Sequence, residues 1–526
     1  MLAISVPAHA QTQVSQAQAE AAMAQLGLDR SQRDGISFSR SRFSDGVYVF
    51  SDVVFHNPEP DAPVAISGGK GEAPDTEPFQ GADLHVEQLS FMAPRLDASG
   101  DLLIDGIVLE GALMEGTQAD VEMRLDRVEL LGPNPALSRL VGLSFILTDE
   151  EMDNEEVELG EDPFDSFRVT GLRLSDPTGS NGDVDALDMR LADFRLEHDA
   201  QAGLGLFSLN GFELSAVAEE GPVEVSLREV RISGANTETF GDWMEAAQLD
   251  DPEPFLNSYF NTLFLDPARI FAEMAIHDIR IEAPGISMGL NALTADNVRD
   301  GELVRSVAVL DNLHITPDTS VAEGQEIAAS LAMLGYDSLN LHGRFTSVYD
   351  PANGRVSTDG DNYYELDDGF RLSFTSDVSG YDALAAIMST LTEVDTENPE
   401  VAEQVGIDLL SSLFIHGASI TIEDLSMLER VSGMMAQQQG LTTEQARAQI
   451  GGMAALVTLG LASSFEQEFL ADLNGALSGF VREGGALTIA LAPDVPRSIA
   501  EMMTPEDKSG LYSTETMGLS VEHNPR

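Results

Sequence analysis

No cysteine occurs in the 526 residues. That excludes a disulfide framework, thiolate metal sites, iron–sulfur ligation and a cysteine nucleophile. Lysine is almost missing too: Lys70 and Lys508 are the only two, and the other 26 basic residues are arginine. Basic residues as a class are scarce, 28 against 89 Asp and Glu, for a formal charge of -61. Nucleic-acid phosphates and anionic membrane surfaces repel such a chain, so no nucleic-acid partner is expected. No apolar run reaches the roughly 18 residues of a helical membrane span, so no transmembrane segment is expected. The most apolar stretch, Ile450 to Ala462, is too short and reads as a buried helix.

Motifs for chemistry are equally sparse. Nine histidines are scattered singly, with no HExxH and no pair at metal-ligand spacing. Gly68-Gly69-Lys70-Gly71 lacks the upstream glycine spacing and the Ser or Thr of a phosphate loop. The acidic run Asp149 to Asp165 reads as a solvated loop. Asp359-Gly360-Asp361-Asn362 begins like a calcium loop, then places Tyr363 where a ligand belongs. Gly285-Ile286-Ser287-Met288-Gly289 matches the serine-hydrolase elbow, which needs a strand, a sharp turn and then a helix. Gly289-Leu290-Asn291 is a poor helix start and Pro284 is close by, so this segment reads as a turn. No catalytic residue, metal site or cofactor is assigned. A serine hydrolase using Ser287 stands only as a third reading.

Apolar residues make up 43%, enough for a folded core. Residues 1–10 read as a signal-peptide remnant, because Ala8-His9-Ala10 before Gln11 fits a small-x-small cleavage site. The expected location is periplasmic or secreted. Residues 11–35 read as an N-terminal helical segment, with the helix over 13–27 and Gly35 ending it. Residues 36–376 read as a β-repeat region, 377–503 as a helical region with two strands, and 504–526 as a polar tail. Within the β region, helices are predicted at Pro135–Val141, Thr239–Gln248 and Pro267–Met274, with Asn134 and Asp266 as caps. Asp350-Pro351-Ala352-Asn353-Gly354 reads as a hairpin turn. Later helices are predicted at Tyr381–Val394, Glu400–Leu413, Met427–Gln439, after Thr442 or Thr443, and along the Phe465–Phe480 stripe. Gly484-Gly485 stop the last of these, and Ala486–Leu491 reads as the final strand.

One six-residue pattern recurs: apolar, any, polar or Gly, apolar, any, apolar. It occurs at Phe50–Phe55, Val86–Phe91, Ile104–Leu109, Leu125–Leu130, Val169–Leu174, Leu191–Leu196, Leu209–Leu214 and Leu227–Ile232. It returns at Ile276–Ile281, Leu310–Ile315 and Ile422–Met427. The third position is Asp, Asn or Gly in eight of these eleven copies. An apolar offset of three breaks the two-residue period of a strand. The expectation is a bulge or corner at the third position, where the chain changes faces on a residue that tolerates unusual backbone. Repeated bends would build an elongated, curved antiparallel sheet or groove in a mainly β protein with a helical C-terminal part, an α+β class. An ordinary β-sandwich with bulges fits the same pattern.

Runs such as Val169-Thr170-Gly171-Leu172-Arg173-Leu174, spread over residues 36–345, resemble uncharacterised bacterial envelope proteins with repeated β units. More distantly the chain is similar to the AsmA-like group of repeating β-groove proteins. The resemblance implies a role in carrying or organising lipid in the cell envelope. It assigns no functional residue, and neither the acidity nor the helical C-terminal region belongs to it.

The reading that follows is an exported, non-enzymatic protein that binds a lipid or other amphiphile, with envelope proteins as further partners. Its expected ligand-binding face is Leu172, Leu174, Phe194, Leu196, Phe212, Leu214, Val230 and Ile232. The alternative is a structural or surface-interaction protein in which that face is sealed core.

Overall fold

The structure is a computed structural model that describes residues 13–33, 35–56, 82–116, 121–146, 159–160, 163–177, 186–199, 203–218, 221–235, 266–358, 360–384, 399–502 and 514–526. The protein is mainly β: 22 strands belong to one antiparallel sheet, and helices gather in the C-terminal part. Two compact units divide the chain, one of residues 1–238 with 280–283 and one of 239–279 with 284–526.

The first unit opens with α1 (Gln16–Gln25). Ser15 caps it by a reciprocal box: Ser15 N donates to Gln18 Oε1 at 3.0 Å, and Gln18 N donates to Ser15 Oγ at 3.4 Å. Eight long strands follow, β1 (Val47–Phe55), β2 (Leu84–Met92), β3 (Gly106–Glu115), β4 (Glu122–Leu131), β5 (Ser166–Asp176), β6 (Ala186–Asp199), β7 (Gly203–Ala218) and β8 (Gly221–Ala235). Each pairs antiparallel with the next in chain order, so the unit is a meander. Helix α2 (Pro135–Ser144) lies between β4 and β5, capped by the Asn134 side chain with proline in its first turn, as predicted. α1 and the Phe145 end of α2 pack on β1–β3, where Met23, Leu26, Phe50, Leu89 and Phe91 form a closed core.

A row of unpaired residues crosses this sheet. On β1, β3, β5 and β7 they are Asp52, Gly111, Gly171 and Gly211; on β2, β4, β6 and β8 they are Glu87, Asp126, Ala192 and Arg228. The first group has left-handed backbone, with φ of 52°, 66°, 65° and 63°. The side chains of Glu87, Asp126 and Ala192 lie over Gly111, Gly171 and Gly211. A Cβ on Gly171 would sit 2.1 Å from Asp126 Oδ2, and one on Gly111 would sit 2.5 Å from Glu87 Cγ. The third position therefore carries the expected unusual backbone at Asp52, Gly171 and Gly211, and also at Asp278 (φ 49°) and Asn312 (φ 51°). At Asp52, Gly171 and Gly211 it is not a bulge, because each strand of the pair leaves one residue unpaired and the register runs through without a shift.

Three expectations from the pattern need correction. The chain does not change faces at the third position: each strand leaves one residue out of the pairing, so apolar residues three apart stay on one side. Phe50 and Val53, for example, both sit in the closed core. On alternate strands the unpaired residue is the second of the six, because an antiparallel neighbour meets the row from the opposite direction. The copies at Ile104 and Ile422 are not strand units of this kind. Gly106 only begins β3, and the strand holding Ile422 ends at Asp424 before a helix starts at Met427.

Strand β9 (Glu273–Ala283) precedes the ladder of the second unit, which runs β10 (Ile286–Asp300), β11 (Leu303–Pro317) and β12 (Leu339–Asp350). β12 then pairs with both β13 (Arg355–Thr358) and β14 (Tyr363–Leu366), and both pair with β15 (Phe370–Ser379). β16 (Phe414–Asp424), β17 (Gly485–Leu491) and β18 (Leu519–Asn524) complete it. Between β13 and β14 the ladder is broken. Asn362, 2% exposed, repairs it by accepting the Thr346 N–H on its side-chain oxygen.

Helices of this unit are α3 (Ala322–Met333), α4 (Pro399–Ser412), α5 (Met427–Gln439), α6 (Thr443–Gly460) and α7 (Gln467–Glu483). The Glu400, Met427 and Phe465 predictions are met closely, and Thr442 caps α6. Pro267–Met274 is instead a single 3-10 turn over Pro267–Arg269, because Asp266 spends its carboxylate on Arg269 and Arg299 rather than on a cap, and β9 begins at Glu273. α3 interrupts the β region unannounced. The polar tail ends in β18, an edge strand on β17, so Ala486–Leu491 is not the last strand. Thr239–Gln248 and most of Tyr381–Val394 lie outside the described residues.

Candidate functional site

The eight residues expected to share a face do share one, two on each of four adjacent strands. Cross-strand register sorts that face into four rows. They are Phe167–Leu196–Phe207–Ile232, Val169–Phe194–Leu209–Val230, Leu172–Leu191–Phe212–Leu227 and Leu174–Met189–Leu214–Val225. No polar side chain interrupts the rows. Three phenylalanines run obliquely through them, with ring centroids 6.2 Å apart from Phe167 to Phe194 and 5.7 Å from Phe194 to Phe207.

The sequence pattern missed half of this face. Val169, Leu191, Leu209 and Leu227 head their six-residue units and were expected on the opposite side. Phe167, Met189, Phe207 and Val225 lie outside the units. Simple alternation running outward from each unit picks them up.

The same rows continue across β1–β4, but their fate differs. Phe50, Leu89 and Phe91 are 0% exposed beneath the helices, whereas every one of the sixteen residues on β5–β8 is only half-buried. With strands about 4.8 Å apart and a rise of about 3.3 Å per residue, the open floor measures roughly 14 Å by 20 Å. That footprint is about 300 Å², comparable to the largest apolar patch of an ordinary monomer, which is often functional.

The reverse face of β4–β6 is ionic. Arg168 pairs with Asp193 at 2.6 Å, Arg190 with Asp188 at 3.0 Å and Arg127 with Glu129 at 3.1 Å. Glu122 holds a forked hydrogen bond from Arg124, which keeps its carboxyl below the ordinary value. Most of these pairs are solvent-exposed and add little stability, Arg127–Glu129 being partly buried. The sheet therefore has one ionic side and one apolar side.

The second unit bears a smaller patch of its own. Tyr364, Ile420 and Ile489 are 47%, 52% and 40% exposed, with Ile420 opposite Ile489 in register. Phe374 stacks between Phe345 and Tyr364 at 6.0 Å from each.

Ser287 is the second residue of β10, just after the Pro284-Gly285 turn, where Gly285 has φ 84°. A strand follows it, not a helix, and its cross-strand neighbour is Thr316. His314 contacts Thr316 and Asn340 at 2.6 Å each; among the described residues no histidine hydrogen bond reaches Ser287. In the calcium-like run, Asp361 faces Arg371 at 2.5 Å and Asn362 points into the sheet, so both have other partners. Among the described residues no cluster of three His, Asp or Glu has metal-binding geometry. Among them, too, no helix is long and apolar enough to cross a membrane.

Residues 363–524 match the model of a family described only as an uncharacterised protein. That match lies outside residues 36–345, on which the resemblance to AsmA-like and envelope β-repeat proteins rests, and it lends that resemblance nothing. No curated protein matches the chain.

Proposed function

We propose that this protein binds a lipid or other amphiphile on the apolar face of β5–β8, as an exported, non-enzymatic component of the bacterial envelope. One observation carries the reading: four uninterrupted apolar rows leave a closed core at β1–β3 and reach β5–β8 still half open to solvent. Such a face has no means of acid–base or nucleophilic chemistry. What it can do is take hydrocarbon out of water, at about 25 cal/mol for each Å² covered. Export rests on Ala8-His9-Ala10, which lies outside the described residues; terminal sequencing of the native protein tests it.

Phe212→Ser separates a binding face from sealed core. On a binding face it weakens amphiphile uptake and costs little stability. In a packed core it removes a large side chain and buries a hydroxyl, at about 3–5 kcal/mol. Melting and lipid extraction with mass spectrometry are measured on the same variant. A large melting loss with no lipid detected in either protein supports the structural, surface-interaction alternative.

A further inference from the structure

We propose that Ser37, His56 and Asp83 form a nucleophilic relay that hydrolyses activated esters. The site lies apart from the β5–β8 face. It replaces the non-enzymatic part of the reading above and leaves the amphiphile part untouched. Its members are the second residue of the short strand Ile36–Ser37, the residue after β1 and the residue before β2. Ile36 pairs with Phe55, and Phe55 with Leu84. Ile36 belongs to the closed core, and Phe55 and Leu84 pack against it. Each of these three is the chain neighbour of one relay member. Alternation therefore brings Ser37, His56 and Asp83 out together on the opposite face.

His56 Nδ1 lies 2.9 Å from Asp83 Oδ2, and His56 Nε2 lies 3.1 Å from Ser37 Oγ. A carboxylate only accepts, so the proton of a neutral imidazole sits on Nδ1 and is donated to Asp83. Nε2 keeps its lone pair toward Ser37, whose hydroxyl donates to it. That is the tautomer a general base needs, fixed by a third group. The His56 N–H also donates to Gly35 O at 2.9 Å, which ties the histidine to the segment carrying Ser37. The side chains of His56 and Asp83 are 45% and 38% exposed, so the relay is open to solvent. Two similar contacts lack a part. Thr316–His314–Asn340 has an amide where the acid belongs. Beside the Ser379–His416 pair, Asp377 gives both carboxylate oxygens to Arg355.

In the first step Ser37 Oγ bonds to the ester carbonyl carbon as its proton passes to His56 Nε2. The ester C–O bond breaks and the leaving oxygen takes that proton. Water then adds to the acyl carbon and gives a proton to Nε2. The bond to Ser37 Oγ breaks, Oγ takes the proton back, and the acid departs. Water is the only co-reactant. General-base help of this kind supplies about 10²–10⁴-fold, which suits esters with good leaving groups.

The test treats the full chain with a fluorophosphonate and, separately, with p-nitrophenyl acetate. Peptide mapping is expected to find Ser37 labelled about tenfold or more faster than Ser379 or any other serine. His56→Gln should slow that labelling about 100-fold, and Asp83→Asn about tenfold or more. Ester hydrolysis should fall about tenfold or more in Ser37→Ala. In Asp83→Asn, a positioning residue, the loss should lie in kcat with KM held, which a merely structural role would not produce. Melting curves verify that the variants fold, and labelling of the wild-type chain needs no variant at all. Ser37 labelled no faster than other serines overturns the proposal. So does labelling unchanged in His56→Gln, or hydrolysis unchanged in Ser37→Ala. None of these outcomes touches the amphiphile reading, which lipid extraction tests.

Discussion

Replacing Gly171 by alanine tests whether left-handed backbone is what builds the row of unpaired residues. Gly171 has φ 65°, which glycine adopts freely and alanine does not. Holding a residue with a Cβ in that region costs about 1–2 kcal/mol. The new Cβ would also fall 2.1 Å from Asp126 Oδ2. Asp126 is a side chain on a sheet surface and can swing aside, so this clash adds less than the backbone term. The stiffer unfolded chain of the alanine variant acts the other way by up to about 1 kcal/mol, which the clash with Asp126 roughly offsets, leaving a net cost of about 1–2 kcal/mol. For a unit of some 200 residues, each kcal/mol shifts Tm by about 2–4 °C, so a fall of roughly 2–8 °C is expected in calorimetry. Asn312→Gly is the counterpart. Asn312 already carries a Cβ at φ 51°, and its N–H to His342 Nδ1 bond survives the change. That variant should melt at or slightly above wild type. Equal melting of Gly171→Ala and wild type, or a clear loss in Asn312→Gly, would refute the argument.

Other expectations are independent of the row. Asn362→Leu removes the acceptor for the buried Thr346 N–H, and should cost about 1–3 kcal/mol and speed hydrogen exchange at that amide. Asp377 is held below its ordinary value of 3.8 by the Arg355 hydrogen bond, with burial opposing and His416 assisting. A lowered folded value means the stabilisation is full above the unfolded value and fades as pH falls through the folded one. The urea midpoints of wild type and Arg355→Gln should therefore differ at neutral pH and converge below about pH 3.8. Ser287→Ala should leave any hydrolytic activity unchanged, and a fluorophosphonate should not label Ser287; specific labelling there would revive the hydrolase reading.

Much of this fold was legible from short-range chemistry. The pairing of Asn134 with Pro135 marks α2, and the stripe from Phe465 to Phe480 marks α7, because capping and helical periodicity are local properties. The recurring units located the left-handed positions for the same reason: glycine, aspartate and asparagine advertise such backbone. What they could not tell is the face on which Val169 lands. That depends on whether the left-handed residue drops out of the pairing or turns the strand over, and only the neighbour's register decides it. Phe167 and Phe207 were missed because a six-residue window stops before the alternation does. β18 hid in a charged tail, where an edge strand with one dry side, Leu519 and Val521, looks polar on average. Nor does any local signal distinguish a floor left open at Phe212 from one sealed at Phe50. The difference lies in where α1 and α2 come to rest.

The crossing row of unpaired residues also limits how the strands can slide. In an ordinary two-faced sheet a slip of one residue inverts the faces and is heavily disfavoured, while a slip of two restores them and is the common error. Here a two-residue slip of β5 would carry Gly171 away from its partner and put Arg173 or Val169 at the left-handed position. A side chain would then meet Asp126 where the glycine now leaves room. Each strand is keyed to the next by one residue, as a notch fixes a sliding bolt. Long, alternating strands of this kind are otherwise exposed to misregistration while they assemble, and the key rejects the error that hydrophobic patterning alone would let through.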